Sequence, residues 1–138
     1  MHSLEVSETR EGVSFAADVA PDSEDSLEYS LNGPATIERI SVRIYPGPEN
    51  DLHITPLISR GSGSDIRLVQ FEGKSFFDGD DDKWVFEPSK DVSGDDKIVV
   101  MAENLDASNE YSYRVNMDID YRAGGGSFLG SLFGGGEE

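Results

Sequence analysis

The chain has 138 residues, no cysteine, and 28 acidic against 11 basic side chains, for a formal net charge of −17 at pH 7. The absence of cysteine excludes a disulfide framework and a thiolate metal site. The length suits one domain with its own core, and no run approaches the roughly 20 apolar residues of a membrane span. The acidic balance disfavours nucleic acid as a partner, because binding phosphates requires clustered cations.

The charge also indicates the medium to which the chain is adapted. Only four of its bases are lysines, and the acids are spread along the whole sequence. In dilute salt, such a charge on a small domain causes self-repulsion. In molar salt the screening length is about 3 Å, and most of that repulsion disappears. The composition therefore predicts a halophilic protein; an acidic protein of ordinary habitat, or one that binds a basic partner, is the alternative.

Apolar and polar residues alternate in several short segments of the first half. A period of two sends alternate side chains to opposite faces, so each segment is predicted to be a strand. The alternating residues are Val13, Phe15, Ala17 and Val19, then Leu27, Tyr29 and Leu31, then Ile40, Val42 and Ile44. Ile37 has the opposite parity from Ile40, which predicts a bulge or two-sided burial. In the next run, residues 52–58, Pro56 predicts an edge strand or a bulge.

The second half begins with predicted strands at residues 66–71 and 84–86. The run 98–102 is apolar without alternation, which predicts a strand buried on both faces. After a predicted turn at 104–109 comes the longest strand signal of the chain. Its alternating apolar residues are Tyr111, Tyr113, Val115, Met117, Ile119 and Tyr121.

These segments together predict an all-β domain over residues 1–122. Turn-forming residues recur about every ten positions, and no amphipathic helical stretch occurs before residue 123. We predict an antiparallel two-sheet β-sandwich, jelly-roll-like, with about eight strands. A closed barrel is the alternative.

Residues 123–138 form a glycine-rich tail with a short apolar segment. Seven of the fifteen glycines lie in it, and four large apolar residues stand between them: Phe128, Leu129, Leu132 and Phe133. Their i,i+4 spacing suits one or two helical turns, which are unstable alone in water. The tail is therefore predicted to dock into a neighbouring subunit. Docking on its own domain and a disordered tail are the alternatives.

The densest carboxylate cluster is at residues 78–82. Asp78, Asp80 and Asp82 resemble the first three ligand positions of a calcium loop. The match then fails, because Lys83 stands where that loop needs its glycine and Ser89 where it needs its closing glutamate. A calcium or sodium ion is the one candidate cofactor, and a solvated acidic turn is the favoured interpretation.

No catalytic signature stands out, so the chain is predicted not to be an enzyme. His2 and His53 are its only histidines, and they lack the spacing of a zinc site. The run 61–64 does not have the spacing of a nucleophile elbow. An exposed Trp84 could stack on a sugar ring, although core packing is favoured. A carbohydrate- or ion-binding module used in host attachment is thus the alternative function.

Three segments, residues 80–88, 94–100 and 111–121, share a texture of acidic turns and strands. In this they resemble small acidic β-sandwich structural proteins of haloarchaeal viruses, over about residues 66–122. The resemblance implies a virion component, such as a capsid-decorating, turret, spike or tail-associated subunit. Its partners would be copies of itself and other virion proteins, with a host surface glycan as a further candidate.

Overall fold

Nine strands occur among the residues that the structure describes. The computed structural model describes residues 10–60, 63, 65–68 and 76–121, and no helix occurs among them. The strands are β1 (Arg10–Val19), β2 (Ser23–Ser30), β3 (Ala35–Ile44), β4 (Leu52–Ser59), β5 (Asp65–Arg67), β6 (Asp82–Phe86), β7 (Lys90–Val92), β8 (Lys97–Asn104) and β9 (Tyr111–Tyr121).

The strands form two antiparallel sheets that pack face to face. Sheet A has the order β1-β9-β3-β6, with β7 also paired to β3, and sheet B has the order β2-β8-β4-β5. Most connections cross from one sheet to the other, an order compatible with the predicted jelly-roll-like arrangement. The predicted all-β, two-sheet sandwich is confirmed, and the two sheets have separate edges instead of closing into a barrel.

The long alternating segment is the central strand β9, which lies between β1 and β3. Its side chains Tyr113, Val115, Met117 and Ile119 are at most 1% exposed, whereas the polar residues between them face outward. A strand with a neighbour on each side and one face in the core requires this alternation. The prediction for this segment is confirmed.

The change of parity in β3 is produced by a bulge. The pairing of β3 with β9 shifts its register between Ile37 and Arg39. As a result Ile37 and Ile40 both point into the core, and each is 0% exposed. An extra residue in one strand reverses the faces of everything beyond it, so the predicted bulge is confirmed.

The prediction for Pro56 was wrong. Strand β4 has partners on both sides, and its pairing with β8 runs from Leu52 to Ser59 without a register shift. The carbonyl of Pro56 accepts a hydrogen bond of 3.1 Å from the amide of Leu68, next to β5. The nitrogen and the carbonyl of a strand residue point to the same neighbouring strand, which for Pro56 is β5. The hydrogen bonds between β4 and β8 therefore do not need an N–H at Pro56.

Two-sided burial of the apolar run in β8 is confirmed. Ile98, Val100 and Ala102 are 0% exposed and belong to the core between the sheets. Val99 points to the opposite face, yet it is only 8% exposed, and Leu57 opposite it on β4 is 4% exposed. This part of sheet B is therefore covered on both faces.

A buried amide joins the turns at one end of the sandwich. Asn104, 1% exposed, donates from Nδ2 to the carbonyls of Val19 (3.1 Å), Ala20 (3.2 Å) and Asn109 (2.8 Å). Its Oδ1 accepts from the amide of Asp106 at 2.9 Å. One side chain thus connects β8 with the β1–β2 and β8–β9 turns and satisfies backbone groups that are buried or part-buried.

Asp106 organises the turn that leads from β8 into β9. Its carboxylate accepts hydrogen bonds from the hydroxyl of Tyr111 and from the amides of Ser108 and Asn109. These bonds stabilise the charged form, the Tyr111 bond most strongly, and lower the pKa of Asp106 to about 2. The arrangement therefore depends on an ionised Asp106 and on a protonated Tyr111 hydroxyl.

Candidate assembly surface

The outward face of sheet A differs in charge from the rest of the chain. We call it the sheet A surface; it consists of the outward side chains of β1, β9, β3 and β6 and of Glu87, and it excludes the short strand β7, whose outward residue is Asp91. Five of the eleven bases and only five of the 28 acids lie on it. The charged members are Arg10, Arg39, Arg43, Lys83 and Arg114 with Asp18, Glu38, Glu87, Asp118 and Asp120. On a domain of net charge −17, a face without net charge lets two copies approach with less repulsion than the acidic remainder of the surface does.

Three cations lie side by side across this surface. In the strand register, Arg114 of β9 is opposite Arg43 of β3, and Arg43 is opposite Lys83 of β6. Like charges in such positions destabilise a sheet unless counter-charges separate them. Because the sequence separates these residues widely, only the pairing of β9, β3 and β6 brings them together.

Only one of the three cations is neutralised by a described neighbour. Arg43 donates to the carboxylate of Asp81 at 2.6 Å and stacks over Tyr45, with 4.8 Å from the guanidinium carbon to the ring centroid. Arg114 donates to the hydroxyl of Ser14 at 3.0 Å. Within residues 10–60, 63, 65–68 and 76–121, neither Arg114 nor Lys83 forms an ion pair. Two positive charges therefore remain available to an external carboxylate.

The opposite end of the surface is richer in acids. Arg10 pairs there with Glu38 and, at 3.8 Å, with Asp120, and Arg39 pairs with Glu87 at 3.2 Å. Shallow depressions of about 270 and 390 Å³ mark the two ends, the first beside Arg114 and the second beside Asp118. The surface thus has a cationic end and a more acidic end.

Small side chains occupy the part of the surface formed by β1. Gly12, Ser14 and Ala16 all face outward, and an added Cβ on Gly12 would have nothing within 4 Å. Val85 on β6 is 56% exposed, one of the largest exposures among the described large apolar residues. A flat face of small residues allows the backbone of another chain to approach closely. Such an approach would remove the exposed side chain of Val85 from water.

The predicted cation ligands belong to a turn stabilised by backbone donors. Asp80 accepts from the amide of Gly47 at 2.5 Å, and Asp82 accepts from the amide of Asp80 at 2.9 Å. A Cβ on Gly79 would lie 2.3 Å from a carboxylate oxygen of Asp82. Among the described residues, no three His, Asp or Glu side chains are grouped so that they could hold a metal ion. The calcium or sodium site at Asp78, Asp80 and Asp82 stays a prediction from the sequence.

The two aromatic residues of β6 belong to the core. Trp84 and Phe86 pack against Phe77, with ring centroids 5.1 and 5.8 Å apart, and Phe77 is 2% exposed. The favoured interpretation of Trp84, core packing, is confirmed, and this leaves the sugar-stacking alternative without its residue. His53 stacks on Phe76 at 4.1 Å between centroids.

The four apolar tail residues, Phe128, Leu129, Leu132 and Phe133, lie outside the described residues, so their docking stays a prediction. The sequence analysis missed the sheet A surface. Arg43, Lys83 and Arg114 each occupy a polar position of an alternating strand, which is the usual place for a solvated charge. The three cations become recognisable as a cluster only when the strand order of sheet A is known.

No family model and no curated protein matches this chain. Among solved structures, the Yersinia pseudotuberculosis-derived mitogen is similar at a TM-score of 0.53 and 9% identity, over 78% of this chain and 84% of the mitogen. The Drosophila NLP-core is similar at a TM-score of 0.39 and 9% identity, over 77% of this chain and 97% of the NLP-core chain. The structure of infectious bursal disease virus, Gx strain, is similar at a TM-score of 0.43 and 8% identity, over 84% of this chain and 33% of the viral chain. The first likeness supports the fold alone, and the two lower scores add nothing to it.

The structure offers no helix for crossing a membrane: none of the described residues belongs to a helical segment of the required length and hydropathy.

Proposed function

We propose that the chain is a non-enzymatic structural subunit of a halophilic, haloarchaeal virus particle that assembles with copies of itself into a symmetric oligomer. The observation that carries the assembly part of the proposal is the charge-balanced sheet A surface on a domain of net charge −17. The resemblance of residues 66–122 to haloarchaeal virion proteins supports the location. A capsid-decorating, turret, spike or tail-associated position would use such a rigid sandwich as its body.

The glycine-rich tail supplies the second contact in this proposal. Phe128, Leu129, Leu132 and Phe133 would fill an apolar groove on a neighbouring subunit. At about 25 cal/mol per Å² of buried apolar area, four such side chains contribute several kcal/mol. Ordering the glycine tether offsets part of that gain. Because the contact is apolar, molar salt does not weaken it.

The acidic composition supports the halophilic part of the proposal. Molar salt screens the repulsion among 28 carboxylates, within each subunit and between subunits. Copies that repel one another in dilute buffer can then approach closely enough for the apolar and paired contacts to form. In this proposal, the net negative charge of the chain explains both the need for molar salt and the assembly of subunits in that salt.

Cutting the chain after Arg122 is expected to leave a folded sandwich that no longer assembles. The strands end at Tyr121, so the cut removes no described part of the core. Light scattering in molar salt gives the mass, and circular dichroism gives the fold. In the matched control, serine replaces Phe128, Leu129, Leu132 and Phe133 in the full-length chain, and this variant should lose assembly equally. An unchanged oligomer mass in both variants would contradict the role of the tail.

A further inference from the structure

Two strands of the sheet A surface carry the same sequence of charges in the same direction. Along β9 the outward residues are Arg114, Asn116 and Asp118, a cation, a neutral residue and an anion. Along β6 and the residue after it, Lys83, Val85 and Glu87 repeat that order. The neutral residues lie in one row across the sheet, because Ser14 pairs with Asn116, Asn116 with Ser41, and Ser41 with Val85. We call Ser14, Asn116, Ser41 and Val85 the middle row.

We propose that the sheet A surface binds the same surface of a second copy of this chain about a two-fold axis that runs along the middle row. This inference rests on the proposed function, since it names one of the contacts through which the subunits would assemble. A two-fold contact is self-complementary, so a residue on one side of the axis meets its exchange partner from the other side. A rotation of 180° about the middle row places the cationic end of each copy against the acidic end of the other.

The charges are complementary in this orientation. Arg114 meets Asp118 of the second copy, and Lys83 meets Glu87 of the second copy, and each pair forms twice. Among the five cations of the sheet A surface, Arg114 and Lys83 are the two that form no ion pair with a described residue. Arg43 comes opposite Arg39 of the second copy, and these two arginines are already paired, with Asp81 at 2.6 Å and Glu87 at 3.2 Å.

The other two-fold arrangement is disfavoured by the same charges. An axis parallel to the strands would place Arg114 near Arg114 of the second copy and Asp118 near Asp118. Like charges brought together at an interface oppose binding, so electrostatics selects one orientation. This choice follows from the pattern along β9 and β6 and not from the net charge of the chain.

The shape of the face suits such a contact. Gly12, Ser14 and Ala16 on β1 allow close approach, and Val85, 56% exposed, lies on the proposed axis. With about 4.8 Å between strands and about 3.4 Å per residue, the four strands present roughly 600 Å². Stable interfaces bury about 800 Å² per partner. The sheet contact is therefore a moderate one, which a second contact elsewhere would strengthen.

Charge reversal on the full-length chain tests the pairing of Arg114 with Asp118. Arg114→Asp and Asp118→Arg each place like charges across the axis twice, and we expect each variant to self-associate at least tenfold more weakly. In an equimolar mixture, the introduced aspartate of one variant meets the introduced arginine of the other, and the native Asp118 of the first meets the native Arg114 of the second. The mixture should therefore form a heterodimer, and the double variant R114D/D118R should regain self-association.

Matched controls and a suitable buffer make the test specific. Lys97→Asp and Glu103→Arg introduce the same charge changes at exposed positions of β8 in sheet B, and neither should change self-association. Sedimentation gives the masses, in the lowest salt at which the unmodified chain is still an oligomer, because ion pairs are screened least there.

The possible results separate this inference from the proposed function. Weaker single variants, a heterodimer in the mixture and silent controls support the two-fold contact. If the single variants associate like the unmodified oligomer, or if the mixture recovers nothing, the contact is overturned while assembly through the tail still stands. If the unmodified chain is a monomer under all conditions, the inference and the proposed function are both overturned.

Discussion

Replacing Val115 by aspartate is expected to unfold most of the protein at neutral pH. Val115 is 0% exposed and lies in the central strand of sheet A, opposite Phe15 of β1 and Val42 of β3. A carboxylate at this position would lie among the apolar side chains of the core. Burying an unpaired charge costs more than about 4 kcal/mol, a large share of the stability of an ordinary domain.

The next residue provides a matched control. Asn116→Asp introduces the same side chain one position further along β9, on the exposed face. Its effect on the free energy of unfolding should stay within about 0.5 kcal/mol. Urea denaturation followed by circular dichroism measures both variants in the chain cut after Arg122, which is expected not to assemble, because Asn116 lies on the proposed two-fold axis of the oligomer. Equal losses of unfolding free energy at the two positions would show that β9 does not separate a buried face from an exposed one.

Asn104→Asp is expected to destabilise the protein by about 3 kcal/mol or more at pH 7. The substitution keeps the size of the side chain but removes the Nδ2 hydrogens that bind three carbonyls at 2.8 to 3.2 Å. The carbonyls of Val19, Ala20 and Asn109, which share the two Nδ2 hydrogens, would then face a carboxylate oxygen at a site that is buried at Val19 and part-buried at the other two. Removing one partner of a buried polar network costs the full desolvation of the groups left behind.

The control for Asn104→Asp is the same substitution at an exposed asparagine. Asn32 is exposed at the end of β2, so Asn32→Asp changes the net charge equally without disturbing a buried network. Thermal and urea unfolding of the two variants should differ by most of the predicted 3 kcal/mol. Two variants of equal stability would mean that Asn104 does not connect the turns as the structure indicates.

The sequence predicts the strands well where the decisive information is local. Alternation along residues 111–121 identifies β9 and its dry face, because the core lies on one side of a pleated strand. The parity change between Ile37 and Ile40 predicts the bulge for the same reason. The apolar run at 98–102 predicts burial on both faces. In each case the pattern within one segment reflects the environment of that segment.

The sequence fails where the outcome depends on which strands are neighbours. Pro56 is tolerated inside sheet B because its nitrogen faces the short strand β5, which a single segment cannot reveal. Asn104 opens a segment that the sequence predicts to be a turn, yet its amide is buried and bonds to carbonyls at both the β1–β2 and β8–β9 turns. The row of Arg114, Arg43 and Lys83 exists only because β9, β3 and β6 are adjacent. Register and strand order decide all three features.

The most direct test of assembly is the mass of the full-length chain across a salt series. Each chain has a mass of 15.1 kDa, and light scattering reports the number of chains per particle. We expect one defined multiple of that mass in molar salt, and a loss of the oligomer or of the fold as the salt is diluted and the carboxylates repel one another. A particle of 15.1 kDa at every salt concentration would contradict the account.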